Sequence, residues 1–530
     1  MRGEKPQILP NIASNRNILR AVTRNKVIER VVKSRLIDHL TSSKLLNPHQ
    51  SAYCKHYSTE TALLYIHDHL INAIGSQKVS CLFLLDLSAA FDTIDHNILI
   101  TCLSFWFGIH GSVLSWFKSY LSSRSFHVKC DDNLSSFLTS SCSVPQGSVL
   151  DPLLFVMYTT PLSTIISSLS LDHHLYADDT QLLFSFHPLN FDSSISHIQD
   201  ALQHKSSWMT ANLLTLNSSK TEFLLIGLKN QLAKIHKSSL DTSHSARNLG
   251  FIFDEHLTFA DQITALSKAC YYHIRQLRCI RPYLDSSTVC TIATSIVHSK
   301  LDYCNSLYYK LPKSQLSRLQ QIKNSLALTV IKAPKSCHIT PILRSLHWLR
   351  ITERIEYKLL SLTYKVLTTT QPPYLHKLIS TLRPRSTRSS YVVTLAQPPS
   401  SSSLKITDRS FRYASPCLWN QLPLSLRKPH SGTSSSISCS PIPSPITSSS
   451  SDSPLCTSIT PSLFHSRLKT YLFQNPTPLV SLLPPGLPPQ TFACTVSSEL
   501  LGFWFYFSLF FVSEPCTWLS WPSRQLLSAR

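Results

Sequence analysis

Three aspartates in this sequence follow apolar runs and could together bind metal ions. Asp86 comes directly after the run from Cys81 to Leu85, and Asp178 and Asp179 are adjacent between two apolar segments. Short apolar runs are typical of buried strands, so the acids would stand at strand ends. If the strands are neighbours, three carboxylates meet at one sheet edge, where like charges are costly without cations. Carboxylate oxygens are suitable ligands for Mg²⁺. Two such metal ions about 3.5–4 Å apart can catalyse nucleotidyl transfer.

The simpler interpretation of Asp178-Asp179 is a solvated turn, because short acidic motifs are common in loops. The order of the surrounding segments argues against it. LLDLSAAFD, VPQGS and LYADDT occur in succession with strand-like flanks. That combination is far rarer by chance than any one of the three, so we favour the metal site.

The ordered segments resemble the motifs of reverse transcriptases from non-LTR (LINE-type) retrotransposons. The first four resemble motifs A to D of that family: FLLDLSAAFDTIDH, SVPQGSVLDPLLF, LYADDT and WMTANLLTLNSSKTEFLLIG. Five others resemble its fingers, post-palm, thumb-side and C-terminal segments: NPHQSAYCKHYSTETALL, ARNLGFIFD, KLDYCNSLY, SLHWLRITERIEYKLL and ASPCLWNQLPLSLR. The resemblance extends over roughly residues 25–473.

This resemblance implies an α+β fold, a right-hand polymerase with fingers, an antiparallel palm sheet, a helical thumb and a C-terminal extension. It implies RNA-directed DNA polymerase activity, in which dNTPs are added to the 3′-hydroxyl of a DNA primer on an RNA template. Asp86 and Asp178 would ligate two Mg²⁺ ions, with Mn²⁺ as an alternative, and Asp179 would support the site.

The resemblance also assigns substrate-binding residues. Phe91 would exclude a ribose 2′-hydroxyl, the group that distinguishes RNA from DNA. Gln146 and Gly147 would lie beside the incoming base pair, and Lys220 near the leaving pyrophosphate. Each has a plainer interpretation: a core residue for Phe91, a turn before a helix for Gln146-Gly147, and a surface lysine for Lys220.

Three positions depart from the family pattern. Cys54 stands where the family usually has an arginine for the triphosphate, and a thiol cannot replace that bidentate cation. Lys55 beside it would compensate in part. Ser143 and Asp151 stand where motif B usually has glycine. A carboxylate at 151 would repel the template, and it would add strain if that position needs a positive φ.

Hydrophobic periodicity and composition, together with the polymerase parts that the resemblance implies, divide the chain into seven segments. They are partial fingers (1–75), palm with the remaining fingers (76–258), a helical thumb-like region (259–385), a C-terminal extension (386–430), a disordered Ser-rich linker (431–460), a short helix (461–473) and a tail of uncertain structure (474–530).

The charge favours an anionic partner, most simply nucleic acid. Lys and Arg number 50 against 29 Asp and Glu, a formal charge of +21. The basic helices at 268–281 and 313–323 would contact template-primer phosphates, although a solvated helix face gives the same pattern. The 15 cysteines lack zinc-finger spacing.

The N-terminus lacks a signal-peptide core, and the apolar stretch 500–512 is too short to span a bilayer. We therefore expect an intracellular protein of the nucleus, the cytoplasm or both, without a stable membrane partner. The sequence carries no signal for an oligomeric state.

Nothing in the sequence resembles the endonuclease that full-length elements carry upstream, so we interpret the chain as truncated. Three alternatives stay open beside an active polymerase. They are a catalytically inactive remnant that binds nucleic acid, a relic that does not fold stably, and a membrane-tethered adaptor built on 500–512. The intact acids favour the enzyme over the remnant.

Overall fold

The structure is a computed structural model. It describes residues 16–88, 90–122, 125–126, 129–130, 133–134, 136, 138–144, 147–235, 242–382, 392–399, 404–427 and 460–474. The chain divides into two compact units, Met1–Cys439 and Ser440–Arg530. The first contains every element described below except the last helix.

Helices and antiparallel strands alternate along the described residues. The strands are β1 (Val79–Leu85), β2 (Leu87–Ser88), β3 (Ser125–Phe126), β4 (Lys129–Cys130), β5 (Asn133–Leu134), β6 (Leu138–Thr139), β7 (Asp172–Tyr176), β8 (Asp179–Phe186), β9 (Thr215–Leu216), β10 (Glu222–Ile226), β11 (Ser245–Asn248) and β12 (Phe251–Asp254). The helices are α1 (Arg16–Ser42), α2 (Thr59–Gly75), α3 (His96–Phe107), α4 (Gly111–Leu121), α5 (Asp151–Ser168), α6 (Phe191–Ala211), α7 (Lys229–Leu232), α8 (Ala260–Ile280), α9 (Ser286–Ile292), α10 (Ser299–Asp302), α11 (Lys313–Ile331), α12 (Ile339–Ser345), α13 (Ile351–Thr369), α14 (Pro373–His376), α15 (Phe411–Asn420) and α16 (Pro461–Gln474).

A four-stranded antiparallel sheet with the order β10-β1-β8-β7 forms the centre of the first unit. Every residue of β1 is buried, which explains its continuous apolar sequence. Alternate side chains, among them Val79, Cys81, Phe83 and Leu85, join a core with α3, α5 and α6. Helix α2 also packs against β1. The sheet is therefore covered well enough to hold its strand ends rigidly.

Local signals set the helix boundaries next to the sheet. The Ser58 hydroxyl accepts a hydrogen bond from the Thr61 amide at the start of α2. At the start of α3, Asp95 accepts hydrogen bonds from two backbone amides. Gly108 ends α3 in the left-handed conformation with φ +63°, which glycine adopts without strain.

The chain continues from the β11–β12 hairpin into a helical region. Helix α8 packs against β12 and α11. Its buried residues recur at helical spacing, as predicted, and the apolar ones are Ile263, Leu266, Cys270, Ile274 and Leu277. The helical segment that follows α8 is divided, because α9 and α10 are separated by a π-helix at Ala293–His298.

Residues near the end of the first unit return to its beginning. Arg412 pairs with the buried carboxylate of Asp68 on α2 at 3.5 Å, and its amide donates a hydrogen bond to Asp68 at 3.1 Å. Arg409 donates to the carbonyl of Leu257 at 2.8 Å and lies 5.0 Å from the ring centre of Phe259. Helix α15 is thus joined both to α2 and to the loop after β12.

The predicted α+β class agrees with this mixture of helices and antiparallel strands. Helix α1 (Arg16–Ser42) lies within the segment predicted as partial fingers. The pattern at 461–473 corresponds to α16, which carries buried apolar residues at intervals of four. The predicted Ser-rich linker up to 459 and the tail from 475 lie outside the described residues. Within the described part of the chain, no helix has the length and apolar character that a membrane crossing requires.

Candidate active site

The register of the central sheet brings the three predicted acids to one end. Strands β1 and β8 are antiparallel, with Leu85 opposite Thr180. Asp86 therefore leaves β1 at the end where Asp178 lies in the turn between β7 and β8 and Asp179 begins β8. Facing Cα atoms in antiparallel strands are roughly 4.5–5.5 Å apart. The three carboxylates consequently share one small region.

A side chain from outside the sheet holds this turn. Ala177 has φ +55°, a conformation that costs a residue with a side chain some strain. The buried Gln50 donates a hydrogen bond from Nε2 to the Ala177 carbonyl at 3.3 Å, and its Oε1 accepts one from the Ala177 amide at 3.0 Å. The same Oε1 accepts from the Ala52 amide at 2.9 Å. Sequence reasoning did not single out Gln50, and only its place in the fingers-like segment could have drawn attention to it.

The segment that carries Gln50 is fastened to β7. The Ser51 amide donates to the Leu175 carbonyl at 2.9 Å. The Ser51 hydroxyl also shares hydrogen bonds with His174 Nε2 at 2.8 Å and with the Tyr374 hydroxyl at 2.9 Å. Burial, together with the nearby His49, lowers the pKa of His174 to about 3. His174 is therefore neutral, and the network is a set of hydrogen bonds without an ion.

Burial and neighbouring charges disfavour the ionisation of Asp178 and Asp179. Burial, followed by the charge of Asp86, raises the pKa of Asp178 above its ordinary value. Burial, followed by the charges of Asp178 and Asp86, raises the pKa of Asp179 to about 7. Nearby Lys220 acts in the opposite direction on both. A positive charge placed among the three carboxylates would stabilise their ionised forms.

Lys220 lies beside Asp86. Its Nζ is 3.2 Å from Asp86 Oδ2, and the two side chains are 64% and 21% exposed. That oxygen makes no hydrogen bond, so we treat the contact as an ion pair only. The backbone explains the proximity, because the Asn217 amide donates to the Asp86 carbonyl at 2.9 Å and β9 pairs with β2. The structure thus places Lys220 next to Asp86.

The other predicted substrate residues have different surroundings. The half-buried ring of Phe91 packs on Phe155 of α5, with 4.4 Å between ring centres. Gly147 has φ +80° and open space where a Cβ would be, so backbone conformation explains the glycine. Lys55 is exposed. Gln146 lies outside the described residues.

The three departures from the family pattern have separate physical consequences. Burial raises the pKa of Cys54 to about 11, so its thiol is uncharged, and Sγ donates to the Gln50 carbonyl at 3.6 Å. Ser143 has φ +75°, where glycine would relieve strain. Asp151 is the first residue of α5 and is not among the positive-φ residues, so no backbone strain arises there. Burial and the charge of Asp92 instead raise the pKa of Asp151 to about 7.

The donor set suits magnesium. Asp86, Asp178 and Asp179 offer hard carboxylate oxygens, and Asp86 Oδ2 has unused hydrogen-bonding capacity. No group of three or more His, Cys, Asp or Glu side chains converges on a point in the described part of the chain. Mg²⁺ commonly takes only one or two protein carboxylates and completes its shell with waters and substrate phosphates. The residues therefore fit ions that are bound together with a nucleotide.

Comparison with known proteins shows what the chain is similar to. Residues 5–253 match the family model described as reverse transcriptase (RNA-dependent DNA polymerase). Over these residues, which include the three acids, the chain is similar to reverse transcriptases. The curated relatives include the probable RNA-directed DNA polymerase from transposon BS of Drosophila melanogaster, 27% identical over 66% of this chain and 40% of the relative. They also include the probable RNA-directed DNA polymerase from transposon X-element of the same fly, 26% identical over 61% of this chain and 36% of the relative.

The chain thus spans less than half the length of these relatives. Among solved structures, an apo telomerase from Candida tropicalis aligns at 12% identity and a TM-score of 0.34. That alignment covers 66% of this chain and 61% of the telomerase.

Proposed function

We propose that this chain is an RNA-directed DNA polymerase that extends a DNA primer on an RNA template. The observation that carries the proposal is the sheet register that aligns Asp86 with the Asp178-Asp179 turn. In this proposal the four-stranded sheet is the palm of a right-hand polymerase. Residues before β1 and between β2 and β7 contribute the fingers, and α8 and α11 belong to the thumb.

Asp86 and Asp178 would hold two Mg²⁺ ions, or Mn²⁺ as the alternative, with Asp179 in support. Such ions activate an attacking hydroxyl and stabilise the departing oxygen. Gln50 holds the turn that presents Asp178 and Asp179. Lys220 is positioned to stabilise negative charge, or to donate a proton, at the departing pyrophosphate.

The remaining residues would select and orient the substrates. The Phe91 ring, fixed against Phe155, would collide with a ribose 2′-hydroxyl and so favour dNTPs. At Gly147 the backbone can approach the new base pair without obstruction. Lys55 is exposed and can reach toward a triphosphate. The exposed cations of α8 and α11 would contact template and primer phosphates, inside the cell, in the nucleus, the cytoplasm or both.

A second candidate is a remnant that binds nucleic acid without catalysis. The neutral thiol of Cys54 and the carboxyl of Asp151 favour it, since both stand where the family has residues suited to substrate contact. One experiment distinguishes the two candidates.

That experiment is primer extension on poly(rA)/oligo(dT) with dTTP and Mg²⁺. It compares the chain with Asp178→Ala/Asp179→Ala and with Asp192→Ala/Asp200→Ala, a matched control on the exposed face of α6. We expect extension by the unchanged chain and the control, and none by the first variant. If no sample extends the primer, although the proteins are folded and still bind the duplex, the polymerase proposal fails. The second candidate, a remnant that binds nucleic acid without catalysis, then stands.

A further inference from the structure

A cleft of about 780 Å³ opens between the second halves of α8 and α11. Its walls come from α8, from α11 and from the turns that follow each of them. Sites for small molecules are usually roughly 300–1,000 Å³, so the cleft has room for about one or two nucleotides. The acids of the sheet contribute nothing to its lining.

The lining of the cleft is cationic. Among the described residues that form it are Arg278, Arg281, Lys332 and Lys335, and none is Asp or Glu. Arg278 is oriented by neutral partners, because it donates to Thr329 Oγ1 at 3.0 Å and to Ser325 Oγ at 2.8 Å. Because these hydroxyl partners are uncharged, they do not neutralise the positive charge of Arg278, which can attract an anion that enters the cleft.

Arg281 fixes the inner wall. It is buried and donates to the carbonyls of Val330 and Leu284 at 2.9 and 2.8 Å. These bonds connect the end of α8 to the end of α11. The cleft therefore lies between two packed helices, and hydrogen bonds hold two of its cations, Arg278 and Arg281, in place.

The cleft also offers an aromatic face and amides. Tyr271 is 43% exposed and lines it together with the apolar Leu328 and Pro334. Gln321 and Asn324 supply hydrogen-bonding groups at the same wall. Bases stack on aromatic side chains in single-strand binding proteins, where cations follow the backbone. In a duplex the bases are already stacked on one another, so only phosphates would contact such a surface.

We propose that this cleft binds a short single-stranded stretch of nucleic acid, with one base stacked on Tyr271 and its phosphates at Arg278, Lys332 and Lys335. The proposal deepens the proposed function, because it gives the polymerase a site for unpaired template. It does not require catalysis, so a binding measurement tests it separately.

The test is equilibrium binding of the full chain to a fluorescently labelled 12-nucleotide single-stranded RNA and to a blunt 12-base-pair RNA–DNA duplex. Tyr271→Ala is compared with Tyr272→Ala, its neighbour on α8, which is 60% exposed and does not line the cleft. Lys332→Asn/Lys335→Gln is compared with Lys44→Asn/Lys118→Gln. Lys332 and Lys44 both have φ +56°, which Asn tolerates well, so the two pairs are matched in backbone strain.

We expect Tyr271→Ala to weaken single-strand binding about 5- to 100-fold and duplex binding by less than about twofold. The Lys332 and Lys335 changes should lower the slope of log affinity against log salt by about 1.4 for the single strand, from roughly 0.7 per phosphate contact. The two controls should bind as the unchanged chain does.

Equal single-strand affinity of Tyr271→Ala and Tyr272→Ala would overturn the proposal. Equal losses for single strand and duplex would also overturn it, because the cleft would then contact only phosphates. If primer extension fails while the difference between the two tyrosine variants persists, the binding site stands and the polymerase proposal falls.

Discussion

Replacing Gln50 tests how the catalytic turn is held. Gln50→Met keeps the length of the side chain and removes every hydrogen bond that the amide makes. The Ala177 amide and carbonyl lose their partner, and the Ala52 amide loses its acceptor. Gln50 is 1% exposed, so water cannot readily take its place.

The size of the effect follows from these bonds. A buried donor left without an acceptor costs roughly 1–3 kcal/mol. The turn itself is half-buried, so solvent recovers part of the cost at Ala177. If the loss of these bonds destabilises the active conformation of the turn by about 1.4–2.8 kcal/mol, the activation free energy rises by the same amount. The kcat then falls about 10- to 100-fold. The KM for dTTP should change less than about threefold, because Gln50 touches no proposed nucleotide ligand.

The assay is steady-state primer extension, with kcat and KM measured over a Mg²⁺ titration and with thermal unfolding in parallel. Ser51→Ala is the matched control. It is the adjacent buried residue and loses the bonds to His174 and Tyr374, yet it leaves Ala177 untouched. We expect the control to unfold earlier and to keep kcat within about twofold. A Gln50→Met protein with unchanged kcat, or one whose loss equals that of Ser51→Ala, would refute the positioning role.

Three further predictions concern the site and its surroundings. Lys220→Gln should lower kcat about 10- to 100-fold and change the unfolding free energy by less than about 1 kcal/mol, since the lysine side chain is 64% exposed; an unchanged single-nucleotide incorporation rate would contradict this. Phe91→Val should raise incorporation of rUTP relative to dTTP at least about tenfold, measured as a ratio of kcat/KM values, and an unchanged ratio would remove Phe91 from sugar selection. Asp151 has a pKa raised to about 7 from an ordinary 3.8, so the native state holds a proton that the unfolded chain releases, and stability falls as pH rises between those values. Asp151→Asn should therefore gain stability relative to the unchanged chain as the pH rises from 5 to 8, by less than about 2.6 kcal/mol, measured by urea unfolding at both pH values; equal pH dependence of the two proteins would show that the carboxyl is solvated.

Much of the site followed from local sequence. The run before Asp86 and the alternation around Asp178-Asp179 predict strands, and the structure has β1, β7 and β8 there. The amphipathic pattern of α8 likewise indicates which of its faces is buried. These features are set by residues that are close together in the sequence, so hydrophobic periodicity can predict them.

Contacts between distant segments could not be predicted in the same way. The bonds from Gln50 to Ala177 join residues 127 positions apart, and glutamine has no preference that would reveal them. The π-helix that separates α9 from α10 interrupts a continuous helical pattern without a proline or glycine. The neutral state of Cys54 depends on burial, which its sequence neighbours do not determine.

The pairing of Arg412 with Asp68 has a consequence for synthesis of the chain. The two residues are 344 positions apart, and ribosomes add about 5–20 residues per second. Roughly 17–70 seconds therefore pass between the synthesis of Asp68 and the synthesis of Arg412. During that interval the surface of α2 that will receive α15 faces solvent or a chaperone. A nascent chain that stalls after the sheet has formed would expose that surface of α2, through which it would aggregate. The rate of translation therefore limits how soon α15 can pack on α2 and complete this unit.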